Sequence, residues 1–380
     1  MNIGIIGGGV AGLSTALALQ KAGFQFHLFE QSPAFGEVGA GMGISTSTFN
    51  LLQKLGVGNA FLETAVPLKR FVIVNHRLKK VLNVPFDGIG YCIRRAKLVE
   101  VLSKPLQPDQ YTLNAQIGSV DEREDHVEVK LKDGSTHQFD MVVAADGIHS
   151  CIRKKVLPQV VARYTGQTMW RGIAKIGLPD YFQNRMHELW GMNRRMGIVD
   201  LGNDNYFWYI VRFASENGKD DAATIQHDLK KLFDKHHVHA IEIVHATDNI
   251  LRTDLKDIAP GNFPWHTNRI VFVGDSIHAC TPHLSQGACQ AIESAYTLAG
   301  CLKKYGNLQE AFTTYQSLRQ EKIKFINNLS YHFGRFSHQR KGWQDKVLHT
   351  VLSALPHFYM RKKFKKTVDL NYLKEVEFQD

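Results

Sequence analysis

The feature that most constrains the fold of this chain is a glycine-rich turn near its start. Gly7, Gly9 and Gly12 have the spacing G-x-G-x-x-G, and they lie between a short apolar segment and an Ala/Leu-rich run. A second apolar segment follows this run and ends at Glu30. The order of strand, glycine turn, helix, strand and acid predicts a βαβ unit of a doubly wound α/β fold.

Each residue of this unit has a separate physical role. Gly7 permits a tight turn, Gly9 lets a pyrophosphate approach the backbone at the helix N-terminus, and Gly12 lets helix and strand pack closely. Glu30 can accept hydrogen bonds from both hydroxyls of a ribose. The unit therefore predicts a bound dinucleotide, and it does not distinguish FAD from NAD.

Length and composition narrow the class of protein. A chain of 380 residues exceeds the usual size of one hydrophobic core, so we expect two domains. The five cysteines include no close pair at metal-ligand spacing, so we predict neither a metal site nor a disulfide framework, and a cytoplasmic protein fits best. The sequence has no basic leader and no uninterrupted apolar stretch of about 18 residues, so we expect no membrane span.

The net charge of +10 allows an anionic partner. Whether it indicates one depends on where in the sequence the Lys and Arg residues lie. Residues 335–366 carry nine Lys or Arg against Asp345 alone. Most of the excess therefore lies near the C-terminus, beside a predicted helix at 343–355, and we interpret it as a solvated surface. Transient contact with an anionic membrane stays open as a minor alternative, and nucleic acid has no motif in its favour.

The order of strand-like and helical segments indicates that a second domain is inserted into the first. Three strand-like runs between residues 168 and 213 are typical of an antiparallel sheet. The short apolar run 268–274 has the character of a buried parallel strand, so it returns the chain to the first domain. Helical segments follow at 286–304 and 308–332.

Two further motifs identify the dinucleotide. One is Ala-Ala-Asp-Gly-Ile-His-Ser-Cys-Ile-Arg at 144–153, and the other is the segment 269–295, which contains Gly274-Asp275 and Ser285-Gln-Gly287. Together with the first glycine motif, they resemble the FAD-dependent aromatic hydroxylases, the single-component flavoprotein monooxygenases that include hydroxybenzoate and salicylate hydroxylases. The resemblance covers about residues 1 to 330.

The resemblance implies an α/β fold in which a Rossmann-like FAD-binding domain carries an inserted antiparallel-sheet substrate domain and C-terminal helices. A monomer and a homodimer are both compatible with it. We assign residues 1–70, 96–160 and 268–332 to the FAD-binding domain, 71–95 and 161–267 to the substrate-binding sheet domain, and 333–380 to a C-terminal helical segment.

The resemblance also implies roles for individual cofactor-binding residues. Asp146 and Gly147 are expected near the cofactor pyrophosphate and the approach of the nicotinamide. Asp275 is expected at the ribityl chain, with a helix N-cap as its alternative role. The predicted cofactor-binding set is Gly7, Gly9, Ala11, Gly12, Glu30, Gln31, Gly41, Gly43, Arg95, Ile117, Asp146, Gly147, Asp275, Ser285, Gln286, Gly287, Ala288 and Cys289.

A few positions depart from the family's pattern. After Asp275 the usual Ala-Ala-His-Pro or Ala-Gly-His is Ser276-Ile-His278-Ala, and Ser285 replaces the Gly that usually precedes Gln286. These departures alter no charged contact and affect only the geometry of the loop.

The substrate side is predicted from strand periodicity. Alternation places Phe207 and Tyr209 on one face of their strand. We expect this face to be directed toward the flavin, and the alternative is that the two rings only fill the core of the sheet. An Arg can neutralise a carboxylate or phenolate, and a His after Pro282 can act as acid or base unless it is a surface residue of the turn. The predicted catalytic residues are Arg195 and His283, and the predicted substrate-binding residues are Arg171, Phe207, Tyr209 and Pro282.

The sequence thus predicts a cytoplasmic FAD monooxygenase. It would take two electrons from NADH or NADPH, form a flavin hydroperoxide with dioxygen and hydroxylate a small aromatic or similarly electron-rich compound. Alternatives on the same fold are an epoxidase and a hydroxylase of a bulky antibiotic such as a tetracycline. An alternative of another class is a redox-silent FAD-binding protein that its basic C-terminal segment recruits to a membrane.

Overall fold

The computed structural model describes residues 1–36, 41–85, 89–191, 193–233, 237–337, 350 and 365–377. In this part of the chain the strands are β1 (Asn2–Ile6), β2 (Gln25–Phe29), β3 (Gly41–Ser45), β4 (Val66–Pro67), β5 (Arg70–Asn75), β6 (Lys80–Pro85), β7 (Ile89–Arg94), β8 (Tyr111–Thr112), β9 (Ile117–Glu122), β10 (Val127–Leu131), β11 (Thr136–Phe139), β12 (Met141–Ala144), β13 (Ala162–Lys175), β14 (Arg185–Gly191), β15 (Arg194–Asp200), β16 (Asn205–Phe213), β17 (Leu251–Ile258) and β18 (Ile270–Phe272). The helices are α1 (Val10–Ala22), α2 (Thr46–Lys54), α3 (Gly58–Leu62), α4 (Arg95–Ser103), α5 (Cys151–Val156), α6 (Ile225–Lys230), α7 (Val238–His245), α8 (Asp275–His278), α9 (Gly287–Lys304) and α10 (Leu308–Phe336).

A five-stranded parallel sheet forms the centre of the first domain, with the strand order β18-β12-β1-β2-β8. Ile5 and Ile6 of β1 point to opposite faces of this sheet and both are buried. The sheet is therefore covered on both faces, which explains why its strands are continuous apolar runs. The predicted Rossmann-like domain is confirmed.

Helix α1 connects β1 to β2 and ends at Gly23. This residue adopts a φ of 87°, its N–H donates to the carbonyl of Gln20, and the N–H of Phe24 donates to the carbonyl of Leu19. The paired bonds form a left-handed helix cap, a conformation that glycine adopts without strain. The cap turns the chain directly into β2, which pairs with β1 in parallel.

The inserted domain is built on a seven-stranded sheet with the order β17-β13-β16-β15-β14-β5-β6. Neighbouring strands are antiparallel, as predicted, except that β14 and β5 run parallel. The exception arises because β5 comes from a much earlier part of the chain, so no hairpin sets its direction. On one face of β16, Trp208 and Ile210 share an apolar core with helix α7. The other face carries Phe207 and Tyr209.

Two three-stranded antiparallel sheets complete the fold, β11-β10-β9 and β3-β7-β4. Val127 and Val129 of β10 belong to the same apolar core as Ile5, so the first of these sheets packs on the central domain. Strand β7 pairs with β3 and β4, whereas β5 and β6 belong to the seven-stranded sheet. The chain thus passes between the two domains within a few residues on either side of β7.

The predicted helices at 286–304 and 308–332 correspond to α9 and α10. The predicted helix at 343–355 lies outside the described residues apart from position 350. The segment 369–377 returns to α9 and α10, where Leu373 and Val376 are buried. Within the described ranges, no helix combines the length and the apolar character needed to cross a membrane.

Candidate active site

A cleft of about 1050 Å³ opens where the central parallel sheet faces the seven-stranded sheet. One side of the cleft is lined by the segments that follow β1, β12 and β18. The other side is lined by strands β13, β16 and β17. Open parallel sheets bind their ligands at the carboxyl ends of the strands, so this cleft is the candidate active site.

The glycines of the first motif lie against backbone atoms that leave no room for a side chain. Gly7 has a φ of +108°, and a Cβ atom there would lie 2.5 Å from the carbonyl oxygen of Ala145. A Cβ atom on Gly12 would lie 1.8 Å from the carbonyl oxygen of Gly7. Both positions therefore require glycine, since a side chain would push the turn away from β12 or from α1.

Helices α1 and α9 both begin at the cleft. Their N-cap residues are Gly9 and Gln286, no described side chain caps either helix, and neither first turn contains an acidic residue. Ala11, Gly287 and Ala288 of the first turns line the cleft. The N–H groups and the positive dipole ends of both helices are therefore available to an anionic ligand.

Two carboxylates are held beside these helix ends. Glu30 accepts hydrogen bonds from the N–H groups of Gly8 at 2.6 Å and Ser32 at 2.8 Å. The Oδ2 atom of Asp146 accepts a hydrogen bond from the N–H of Cys151 at 2.9 Å. The Oδ1 atom of Asp146 is buried and has no hydrogen-bond partner among the described residues. An unpaired buried acceptor is costly, so this oxygen favours a ligand that donates a hydrogen bond.

The sheet side of the cleft carries an aromatic wall formed by Phe207 and Tyr209, whose ring centroids are 5.8 Å apart. Arg171 of β13 lies directly opposite Tyr209 in the sheet register and lines the cleft beside it. A Cβ atom on Gly41 would lie 2.7 Å from the Phe207 ring, so β3 passes directly against the wall. Residues predicted for the cofactor and for the substrate thus meet in one cleft.

A buried polar group lies behind the aromatic wall. The Tyr209 hydroxyl donates to Glu188, and the Trp190 indole N–H donates to the same carboxylate at 2.6 Å. The Nε atom of Arg195 lies 3.6 Å from Glu188, and the two side chains are 1% and 2% exposed. Burial and the neighbouring Glu188 carboxylate hold the pKa of Tyr209 well above its usual value. The phenol of Tyr209 therefore stays neutral.

The two predicted catalytic residues, Arg195 and His283, contact each other within this buried group. Arg195 donates to Nδ1 of His283 at 2.8 Å, and Nε2 of His283 lies 3.0 Å from the side-chain oxygen of Gln167. Neither Arg195 nor His283 lines the cleft, and His283 is only 7% exposed, so it is not a surface residue of the turn. Together they join the turn after Pro282 to the sheet.

Most of the other predicted site residues line the cleft. Gln286, which is 2% exposed, and Cys289, whose thiol donates to the carbonyl of Gly43 at 3.6 Å, lie just behind the lining, as does Gly12. The predicted residues in the lining are Gly7, Gly9, Ala11, Glu30, Gln31, Gly41, Gly43, Arg95, Ile117, Asp146, Gly147, Arg171, Phe207, Tyr209, Asp275, Pro282, Ser285, Gly287 and Ala288.

Several residues of the site are not predicted by any motif of the sequence. Glu188 anchors the buried group, and its one sequence signal is an acid within the otherwise apolar end of β14. Met169, Leu255 and Lys256 line the cleft from β13 and β17. Their place follows from the pairing of β13 with β17, which no local motif reveals.

Comparison with known proteins decides the family. The family model described as an FAD binding domain matches residues 1–324. The chain belongs to the FAD-dependent aromatic hydroxylases. Members of this family are oxidoreductases with FAD as cofactor and NAD(P)H as the usual electron donor.

Some relatives align with nearly the whole length of this FAD-dependent hydroxylase. An aurachin C monooxygenase/isomerase from Stigmatella aurantiaca is 30% identical over 389 residues, covering 100% of this chain and 98% of the relative. A 2-heptyl-3-hydroxy-4(1H)-quinolone synthase from Pseudomonas aeruginosa is 26% identical, covering 95% of this chain and 96% of the relative. The crystal structure of Klebsiella pneumoniae HpxO with FAD and uric acid has the same fold, with a TM-score of 0.88 at 21% identity, and covers 97% of this chain and 96% of that chain.

The residues of the cleft fit FAD. Two uncapped helix ends suit a pyrophosphate and an anionic ring system, and the glycine turn lines the cleft without side chains at positions 7, 8 and 9. The unpaired Oδ1 atom of Asp146 suits one of the hydrogen-bond donors of the cofactor.

Proposed function

We propose that this enzyme uses NADH or NADPH and dioxygen to insert one oxygen atom into an electron-rich N-heteroaromatic ring. The proposed substrate class is the quinolones that carry an apolar side chain. The observation that carries the proposal is the shared cleft, in which the aromatic wall of Phe207 and Tyr209 faces the cofactor turns. Residues 71–85 and 161–267 would then form the substrate-binding domain, whereas β7, which lies within the predicted range 71–95, pairs with β3 and β4.

On the cofactor side, the helix ends and the carboxylates would each bind a different part of FAD. Gly9 and Ala11 would bind the pyrophosphate, Glu30 a ribose, and Gly287 with its neighbours in the first turn of α9 the flavin ring. Asp275 would bind the ribityl chain. The chemistry that FAD supplies when bound is the acceptance of two electrons from the nicotinamide and the activation of dioxygen.

On the substrate side, the residues of the chain bind, orient and shield the ring. Phe207 and Tyr209 offer aromatic faces on which a bicyclic ring can stack. Arg171 can pair with the oxygen of a deprotonated 4-quinolone, and this negative charge raises the electron density of the ring. Tyr209 contributes its ring face and no proton, because its hydroxyl is committed to Glu188.

The relatives support the same substrate class. One is named for a 2-heptyl-3-hydroxy-4(1H)-quinolone, a bicyclic N-heteroaromatic compound with an alkyl chain. Met169 and Leu255 add apolar surface to the cleft, which suits such a chain. A cytoplasmic location is consistent with the five cysteines, which are all unpaired thiols.

The test is an assay of the purified, FAD-loaded protein with a series of 2-alkyl-4-quinolones. We expect the quinolones to stimulate NADH or NADPH oxidation and the product to gain one oxygen atom from isotopically labelled dioxygen. Hydrogen peroxide without a labelled product would contradict the proposal. A labelled epoxide, or labelled tetracycline with unreacted quinolones, would support the alternative enzymes on this fold, and failure to bind FAD would exclude the whole class.

A matched pair of variants tests the role of Arg171. Arg171→Gln should raise the KM for the quinolone about tenfold, because a charge-assisted hydrogen bond to the substrate oxygen is lost. Arg212→Gln is the control, since Arg212 lies on the opposite face of β16 from Tyr209 and does not line the cleft. Equal KM values for the two variants would exclude Arg171 from substrate binding.

A further inference from the structure

A buried charged cluster outside the cleft connects the segment 369–377 to helices α9 and α10. Glu293 of α9 and Arg319 of α10 are both 0% exposed, and NH1 of Arg319 lies 2.8 Å from Glu293. Tyr372 of the C-terminal segment donates its hydroxyl to Glu293 at 3.1 Å and accepts a hydrogen bond from Arg319. We call the following residues the Arg319 cluster: Gln290, Glu293, Ser294, Arg319, Lys322 and Tyr372.

The C-terminal segment is fixed to this cluster at several points. Lys322 donates both to Glu293 and to the carbonyl of Asp369, each at 2.7 Å. Lys304 donates to the carbonyl of Glu375 at 2.8 Å, and Val376 is buried against Gly300. The Tyr372 hydroxyl is therefore held in one place with respect to both helices.

One branch of hydrogen bonds runs from Arg319 to the start of α9. NH2 of Arg319 donates to the side-chain oxygen of Gln290 at 2.6 Å, and the Gln290 amide donates to the side-chain oxygen of Gln286 at 3.1 Å. Gln286 is the N-cap of α9, and its neighbours Ser285 and Gly287 both line the cleft. This branch therefore ends at the turn proposed for the flavin ring.

A second branch runs from Arg319 to the turn before Asp275. Nε of Arg319 donates to Ser294 at 3.1 Å, and the Ser294 hydroxyl lies 3.0 Å from Nε2 of His278. The same Nε2 accepts a hydrogen bond from the N–H of Gly274 at 3.2 Å, so it carries no proton and Ser294 is the donor to it. Gly274, with a φ of 70°, immediately precedes Asp275 in the cleft lining.

The guanidinium of Arg319 is committed on every nitrogen. NH1 is bonded to Glu293 and Tyr372, NH2 to Gln290, and Nε to Ser294. A planar guanidinium fixes the relative directions of these bonds, so a change at Tyr372 alters the position of the whole group. Both branches to the cleft would then change together.

We propose that Tyr372 is a positioning residue for the FAD site, which acts through Arg319 on the turns at Gln286 and Gly274. The inference rests on the proposed placement of FAD at these turns. The Tyr372 hydroxyl touches neither turn, and the docked C-terminal segment completes the cofactor site from behind helices α9 and α10. Cofactor affinity thereby depends on a segment that lies at the far end of the chain.

The test compares Tyr372→Phe with Tyr164→Phe in the full chain. Tyr164→Phe also removes one phenol hydroxyl. In the wild-type chain this hydroxyl donates to the carbonyl of Ala214 in the sheet domain, away from the Arg319 cluster. We expect Tyr372→Phe to raise the Kd of FAD about fivefold, the effect of one net hydrogen bond, and to shift the visible absorption of the bound flavin. Tyr164→Phe should leave both unchanged, whatever its effect on the Tm of the apoprotein.

A double-mutant cycle tests whether the effect passes through Gln290. Gln290→Met removes the link to Gln286 and should also weaken FAD binding, and the double variant with Tyr372→Phe should bind FAD more tightly than independent effects predict. Effects on Kd that simply multiply would overturn the proposal. So would an unchanged Kd in Tyr372→Phe, or an equal loss in Tyr164→Phe.

These outcomes are separable from failure of the proposed function. If wild-type protein binds FAD and oxidises no quinolone, the quinolone proposal fails while the affinity comparison stays valid. If wild-type protein does not bind FAD, both fail, and the spectrum of the purified protein shows this before any variant is made.

Discussion

The Nδ1 atom of His283 accepts a hydrogen bond from Arg195 at 2.8 Å, in a buried group behind the aromatic wall. A guanidinium has no acceptor, so Nδ1 is unprotonated and the proton of the neutral ring lies on Nε2, 3.0 Å from the Gln167 oxygen. The imidazole thus ties the turn at Pro282 to the seven-stranded sheet. Proton transfer by His283 would require release of Nδ1 from Arg195.

The ion pair between Glu188 and Arg195 leads to the first prediction. Glu188→Gln leaves the buried guanidinium without its counter-charge and should lower the free energy of unfolding by about 3 kcal/mol or more. Glu188→Gln combined with Arg195→Met removes both charges, so it should cost less than the sum of the single changes. Urea unfolding of the four proteins measures this, and additive losses would show that the two charges do not interact.

The second prediction concerns the hydroxyl of Tyr209. The pKa of this phenol lies well above its usual value because the group is buried beside Glu188, so it stays neutral throughout the working range of pH. Tyr209→Phe should therefore keep the dependence of kcat/KM on pH that the wild-type enzyme shows. Measurement of quinolone-stimulated NAD(P)H oxidation between about pH 6 and pH 9 checks this. Loss of one limb of the profile would assign the hydroxyl to proton transfer.

The third prediction contrasts two glycines of the proposed FAD site. Gly12→Ala would place a Cβ atom 1.8 Å from the carbonyl of Gly7, so it should lower the Tm of the apoprotein and abolish FAD binding. Gly287→Ala meets no atom of the described residues within 4 Å and should leave the apoprotein as stable as the wild type or slightly more stable. Its Kd for FAD should still rise, since the new methyl group lies where the cofactor approaches. An unchanged Kd for Gly287→Ala would place the flavin elsewhere.

The fourth prediction is a loss of stability in acid that depends on His278. Burial, together with the nearby Arg319 charge, lowers the pKa of His278 from 6.5 to about 3, so the native protein keeps this ring neutral. The unfolded chain binds the proton first as the pH falls below 6.5, and the contribution to stability is lost between pH 6.5 and about pH 3.

Replacement of the imidazole isolates this effect from the titration of carboxylates. His278→Gln should reduce the slope of unfolding free energy against pH by up to about 1.4 kcal/mol per unit of pH between pH 6 and pH 4, the value for one proton. Denaturant unfolding at several pH values measures the two slopes. Identical slopes would mean that His278 takes up its proton in the native protein as readily as in the unfolded chain.

The cofactor side of the cleft could be predicted from the sequence because it depends on local chemistry. The contact that requires glycine at position 12 lies within one βαβ unit, Gly7 adopts a positive φ in the turn of the same unit, and Glu30 directly follows its second strand. The long helices α9 and α10 are likewise encoded by local periodicity. Their predicted limits differ from the observed ones by a few residues at the ends, where helix assignments commonly vary.

The sheet side could be predicted only in part. Alternation places Phe207 and Tyr209 on the correct face of β16, and Arg195 lies on that same face because it pairs with Val211 in the register. The Arg195 side chain, however, contacts Phe333 of α10, with its guanidinium carbon 5.3 Å from the ring centroid. That position depends on how two distant segments pack, and no local pattern contains this information.

During synthesis, strand β12 leaves the ribosome long before its sheet neighbour β18, because most of the inserted domain lies between them in sequence. Until then one edge of β12 exposes N–H and C=O groups that lack their final partner, and such edges pair readily with other chains. A ribosome that pauses within the inserted domain therefore prolongs the exposure of an aggregation-prone edge, and rapid translation of this stretch or a bound chaperone shortens it.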